Sequence, residues 1–273
     1  MRPVKTLFVW TSIFLMSVAT SAAAATPKIS VLNYDVYAGG IHAMNAQLTI
    51  RKEAAKYDVS LTAGTQGLLK QLADWSGKFE SKGNIAGGKT YPLSHQSASV
   101  WKGSTQSKLF KYDGKGNFLS YQMTDDGKDQ TPKDIDLSLA KGTTDTLSAT
   151  LRLMIGLPKG QVCAGNELVF DGDRNFRLHF TGTAPENLQK TNYNIYSGPT
   201  ISCSVEVTPE KGKWRKKPRG WLSIQEQGRN KGSLPTVWFG PIKGQPDIYV
   251  PVKIRIKTDY GTLFLHLTSE KTS

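Results

Sequence analysis

Six cations and two tryptophans crowd into the eleven residues Lys211-Gly212-Lys213-Trp214-Arg215-Lys216-Lys217-Pro218-Arg219-Gly220-Trp221. Ammonium and guanidinium groups grip anionic head groups, and indoles settle at interfacial depth. Lys213, Trp214, Arg215, Lys216, Lys217, Arg219 and Trp221 are therefore candidate contacts to an anionic surface or lipid. The alternative is a solvated loop whose tryptophans pack back onto the protein. Sulfur offers the second chemistry, since Cys163 and Cys203 are the only cysteines. An oxidising compartment would join them, and closing a loop of about 40 residues stabilises a fold by roughly 3–4 kcal/mol. They are not in a Cys-x-x-Cys arrangement and neither has an adjacent basic residue, which argues against a catalytic thiol.

Groups for acid–base or metal chemistry are dispersed. Of the four histidines, His179 and His266 fall on the polar faces of their strands, and His42 opens a strand on the side of Met44 and Ala46. With His95 they read as surface or strand-end residues; a polar cleft in which His42 or His95 met carboxylates would favour an enzyme instead. Asp125-Asp126, Asp134/Asp136 and Asp171/Asp173 supply too few regularly spaced oxygens for a calcium loop and suit turns. There is no His-Glu-x-x-His, no Gly-x-Ser-x-Gly elbow, no phosphate-cradling Gly-x-x-x-x-Gly-Lys and no Gly-x-Gly-x-x-Gly. No catalytic residue, metal or cofactor is expected.

The elements that must position these residues are mainly strands. Tyr57-Asp58-Val59-Ser60-Leu61-Thr62-Ala63 alternates apolar with polar, the pattern of an antiparallel strand with one face on a core and one in water. The alternation recurs in Leu32/Tyr34/Val36, Met44/Ala46/Leu48/Ile50, Phe176/Leu178/Phe180, Ile248/Val250/Val252/Ile254/Ile256 and Leu263/Leu265/Leu267. Asp113-Gly114-Lys115-Gly116, Asp171-Gly172-Asp173 and Asp259-Tyr260-Gly261 supply positive-φ residues for hairpins between sequential strands. Helical spacing occurs twice. Residues 66–74 place Leu68, Leu72 and Trp75 on one side, and residues 144–155 place Leu147, Leu151, Met154 and Ile155 so. Thr144 or Asp145 can cap the second helix, and Gly156 followed by Pro158 stops it. The expected fold is mainly β: one large curled antiparallel sheet, an open barrel or β-spiral, with two short helices. Tyr34, Trp75, Trp101, Phe110, Tyr121 and Trp238 are among the aromatics expected to fill its interior or to line an apolar cavity for an acyl chain. Residues 124–143 are polar and turn-rich and suit a long loop.

The first 25 residues read as a secretory leader. Arg2 and Lys5 form its positive end, residues 7–18 its apolar stretch, and the alanines before Thr26 a cleavage site. No cysteine stands at that point for a lipid anchor, and no later segment is apolar enough to cross a membrane. The expectation is one exported, soluble domain over 26–273. The formal charge of +13, two units of it in the leader, favours acidic partners. For an exported protein these are anionic phospholipid, lipopolysaccharide phosphate or an acidic protein surface, not nucleic acid.

Tyr34-Asp35-Val36-Tyr37 with Gly39-Gly40, Ser81-Lys82-Gly83, Thr144-Asp145-Thr146-Leu147-Ser148, Cys163 leading to Val169-Phe170-Asp171-Gly172, and Val250-Pro251-Val252-Lys253-Ile254 before Tyr260-Gly261 together carry a resemblance. In this order they resemble a bacterial family catalogued as a domain of unknown function and common in Gram-negative periplasms. The likeness covers nearly the whole mature chain and implies a β-rich periplasmic protein. In general look the chain is also similar to alphaproteobacterial periplasmic β-spiral proteins linked to envelope integrity, whose two cysteines form a disulfide, and more distantly to half-barrel lipoprotein carriers. Only Cys163 and Cys203 carry over, as a structural pair; the missing lipoprotein cysteine departs from the anchored carriers.

The first functional expectation is a non-enzymatic periplasmic protein that supports the cell envelope by binding a protein, lipid or wall partner. The second is a carrier that encloses a lipid or other apolar ligand inside the curled sheet.

Overall fold

A computed structural model describes residues 27–273 apart from 161, 215, 218–220 and 260. The expected leader, Arg215 and Arg219 thus lie outside the described residues. The alternating segments are strands in two meanders. The first contains β1 (Lys28–Ala38), β2 (Ile41–Glu53), β3 (Lys56–Thr65), β4 (Trp75–Ala86), β5 (Lys89–Trp101), β6 (Ser104–Tyr112), β7 (Phe118–Asp125) and β8 (Lys128–Asp129). The second contains β9 (Ala164–Phe170), β10 (Arg174–Gly182), β11 (Glu186–Leu188), β12 (Gly198–Gly212), β13 (Thr236–Ile242), β14 (Gln245–Thr258) and β15 (Gly261–Thr272). Because β1 pairs with β15, the terminal strands meet in the middle of one antiparallel sheet. Its edges are β8 and β9, with β11 branching from β12.

Alternation decides which side chains turn inward. Leu32, Tyr34 and Val36 of β1 are buried with Leu48 and Ile50 of β2, and Ile248, Val250 and Val252 of β14 have no exposed surface. Turn chemistry sets the order of pairing. Asp113 accepts the N–H groups of Lys115 and Asn117 through Oδ1, and Gly114 and Gly116 take φ of +75° and +94°, so β6 returns as β7.

The ladder does not close, and side chains bridge its two ends. Phe170 at the end of β9 meets Phe110 of β6 and Phe118 of β7 edge-on, with centroids 6.2 and 5.4 Å apart. The β9–β10 hairpin tip also presses on β7. A Cβ on Gly172, which has φ +107°, would lie 2.6 Å from Cζ of Tyr121, so only glycine fits there.

Among the described residues there are three α-helices: α1 (Gly67–Leu72), α2 (Thr146–Gly156) and α3 (Trp221–Asn230). The connection from β8 to β9 must travel from one edge of the sheet to the other. It crosses the concave face, and α2 lies within it. Asp145 caps α2 by accepting the Ser148 N–H, and a 3₁₀ turn with Pro158 ends at Gly160, φ +77°, as the cap and stop residues imply. The helix buries Leu151, Leu153, Met154 and Ile155 against the sheet.

The other helical expectation needs correction. The segment at 66–74 makes only the six-residue α1, with Leu68 and Leu72 58% and 67% exposed and Trp75 opening β4 instead. A helix this short cannot complete an apolar face. Cys163 and Cys203 form a disulfide that joins the approach to β9 with β12, spanning β10, and both residues are buried.

Candidate functional site

Curling the sheet around α2 leaves an apolar chamber of about 700 Å³. Leu48, Val59, Leu178 and Phe239 line it from the sheet, and Leu151 and Met154 from α2. These positions are inward by strand parity, and the space exists because α2 fills only part of the concavity. Arg174, Trp214 and Trp221 also line it, and Trp221 is 38% exposed. The Arg174 guanidinium stacks 4.2 Å from the Trp214 ring and its Nε donates to Asp171 at 2.8 Å. Trp214 also meets Phe176 edge-on and donates its indole N–H to the Lys211 carbonyl. A second space of about 500 Å³, lined in part by His95, Gln106, Lys108 and Phe110, adjoins the chamber. Leu61, Thr146, Leu147 and Asp171 line both.

Between these spaces and the helix start lies a buried polar chain. Ser81 Oγ donates to Asp145 Oδ1 and Ser148 Oγ to Asp145 Oδ2, both at 2.6 Å. Each hydroxyl has one proton, so each must accept from its other neighbour. His95 therefore carries its proton on Nδ1 and donates it to Ser81 at 2.7 Å. The Tyr57 hydroxyl donates to Ser148 at 2.6 Å. Two short relays thus converge on one carboxylate. Burial pushes the His95 pKa down, opposed by the Asp145 charge and the Glu80 carbonyl, and pushes the Tyr57 phenol up. Both are neutral at physiological pH.

The sequence matches, over residues 33–268, a family described as a protein of unknown function (DUF3108). The chain belongs to that family. No curated protein matches it. Among solved structures it is similar to a β-barrel-like protein of the domain of unknown function DUF1849 from Brucella abortus. The identity is 11%, the match covers 92% of this chain and 100% of that one, and the TM-score is 0.48.

In this DUF3108 chain the basic run divides between surface and cavity. Lys213, Lys216 and Lys217 are exposed, whereas Trp214 and Trp221 border the chamber. Trp221 opens α3, which sequence reading missed. That helix buries only Gln225 and Gly228, and its apolar residues, Trp221, Leu222 and Ile224, are confined to the first turn, too short a run to mark a helix by its period. It docks by a side-chain amide: Gln225 Oε1 accepts the Val207 N–H at 2.6 Å and Nε2 donates to the Val207 carbonyl at 3.0 Å. Other expectations need revision. His95, its side chain 13% exposed, stands beside the buried Asp145 carboxylate rather than on the surface. Trp101 is 52% exposed. Trp238 is buried in the core, as expected of an interior aromatic, but it does not line the chamber: its indole donates to Glu186 beneath Lys253 and Arg255. Among the described residues no cluster of three or more His, Cys, Asp or Glu could hold a metal, and no helix is long and apolar enough to cross a membrane.

Proposed function

We propose that this protein is a non-enzymatic binding protein that holds an apolar ligand, by class an acyl chain, in the chamber under its curled sheet. The chamber carries the reading. Its volume of about 700 Å³ falls within the roughly 300–1,000 Å³ of small-molecule sites, and apolar walls favour a hydrocarbon over water. Each buried methylene contributes about 0.8 kcal/mol.

The His95, Ser81 and Asp145 constellation supports a structural role over catalysis. Ser81 has no exposed surface and its proton is committed to a carboxylate, whereas a nucleophilic serine gives its proton to a base while facing substrate.

Export to a periplasm belongs to the same reading and is supported by the disulfide. So does envelope support, in the form of contact with an anionic surface. Lys213, Lys216 and Lys217 stand exposed in the segment whose tryptophans border the chamber, which would bring its opening to anionic head groups.

The test is to purify the full mature protein from an oxidising compartment, extract it with solvent and identify released lipids by mass spectrometry. Titration with N-phenyl-1-naphthylamine and displacement by palmitate follow. About one apolar molecule per protein, or displacement at micromolar palmitate, is expected. An empty extract together with no probe binding up to about 100 µM sinks the proposal.

A further inference from the structure

The apolar chamber adjoins the smaller space beside β5 and β6 across Leu61, Thr146, Leu147 and Asp171, and the charges there differ in how they are satisfied. Asp171 is paired with Arg174 at 2.8 Å. Asp145 also lines this space, but its two oxygens accept from Ser81, the Ser148 N–H and the Ser148 hydroxyl. Lys108 is the exception. Its Nζ, half-buried in the lining, donates to the Asp171 carbonyl at 3.0 Å and lies 5.9 Å from the Tyr121 ring. Among the described residues it has no carboxylate partner. An ammonium has three donors, so two remain for a ligand, with Ser97, Ser99 and Gln106 lining the same space.

Resting on the reading of the chamber as an acyl-chain site, we infer that the ligand is an amphipathic anion. Its hydrocarbon lies between α2 and the sheet, and its acidic head reaches Lys108 past Leu61 and Leu147. The apolar walls next to Lys108 lower the local dielectric, so a cation there rewards an anion more than it would in water. A neutral head leaves the ammonium with only its carbonyl and ring.

Competition titrations on the full mature protein at pH 7.5 test this, with palmitate, 1-oleoyl-lysophosphatidate and neutral 1-hexadecanol displacing N-phenyl-1-naphthylamine. Wild type should bind at least one acid tenfold or more tighter than hexadecanol. Lys108→Gln should abolish that preference and leave hexadecanol affinity within about twofold, while Lys108→Arg keeps it. Circular dichroism and Tm confirm that both variants fold, and whichever acid binds tighter identifies the head group as carboxylate or phosphate. Equal affinity of acids and alcohol in wild type, or a preference that survives Lys108→Gln, overturns this inference alone. Failure of all three amphiphiles to bind overturns the acyl-chain reading itself.

Discussion

Asp145 Oδ1 lies 3.4 Å from His95 Nδ1, with the Ser81 hydroxyl set between them as a relay. The same residue caps α2 through the Ser148 N–H. One buried carboxylate therefore ties β3, β4 and β5 to the helix that shapes the chamber.

Removing it should cost more than an ordinary helix cap. Asp145→Ala leaves the Ser81 and Ser148 hydroxyls and the Ser148 N–H without their acceptor, and hydrogen bonds to charged groups contribute about 1.5–3 kcal/mol each. A loss of about 3 kcal/mol or more is expected in urea unfolding, against about 1 kcal/mol for a simple cap. A loss near the smaller figure would show that the network does not act as a unit.

His95 should make stability depend on pH. Its folded pKa is pushed below the ordinary histidine value by burial, partly offset by Asp145 and the Glu80 carbonyl. The unfolded chain therefore binds the extra proton first. The stabilisation is complete above about pH 6.5 and is lost as pH falls from there toward the folded pKa. Phe110 packs against the ring from β6 and brings no compensating charge. His266, also lowered by burial and by Lys253, acts in the same window. The His95→Gln variant should accordingly show a smaller, not absent, fall in urea midpoint between pH 7.5 and pH 5. An unchanged fall contradicts this assignment.

The Gly172 contact with Tyr121 should control whether the sheet's ends stay together. Gly172→Ala adds a carbon 2.6 Å from the ring at φ +107°, and overpacking costs about 1–3 kcal/mol before backbone strain is added. Amide hydrogen exchange should rise first in β7 and β9, whose contact is made by side chains. Uniform exchange across the sheet would refute the seam.

The Cys163–Cys203 bond closes a loop with a sequence separation of 40. The double variant Cys163→Ser/Cys203→Ser should lose about 3–4 kcal/mol in the chain-entropy view. Guanidinium unfolding of wild type with and without reductant gives an independent measure.

Charge on the exposed loop should govern attachment to anionic membranes. Each lysine near such a surface contributes about 1 kcal/mol, so neutralising Lys213, Lys216 and Lys217 should weaken partitioning onto phosphatidylglycerol vesicles at least tenfold. Excess salt should do the same to wild type. Equal partitioning of variant and wild type removes the surface-contact reading and leaves the chamber untouched.

Much of this fold was legible along the chain. Alternation in β1, β2, β3, β10, β14 and β15 marked both the strands and their inward faces, because side chains in a strand repeat every second residue. The glycines at 114, 116, 172 and 261 marked hairpins, since few other residues tolerate their backbone angles. The capped, stopped helix at 146–156 and the two cysteines were equally plain. The candidate site was far less so. Alternation says which side chain points inward, but the curvature of the sheet and the position of α2 determine whether they meet another side chain or open space.

Local sequence also could not place His95, which joins Ser81 across a strand pair 14 residues apart and Asp145 through the fold's crossover. Nor could it show α3, which is held by polar side chains, the amides of Gln225 and Gln227 and the Arg229–Glu206 pair, rather than by a long apolar stripe. The sequence by itself determined the pairing of sequential strands through hairpins, the inward faces and the single possible cysteine pairing, all of which follow from local backbone preference and composition, whereas the β1–β15 pairing that joins the two meanders is a tertiary feature. Tertiary structure alone decided that a chamber remains beside α2, that two hydroxyl relays end on Asp145, and that Lys108 lines the smaller space with no carboxylate partner among the described residues. Each of those depends on distances between segments far apart in the chain, and such distances are set by how the whole sheet bends.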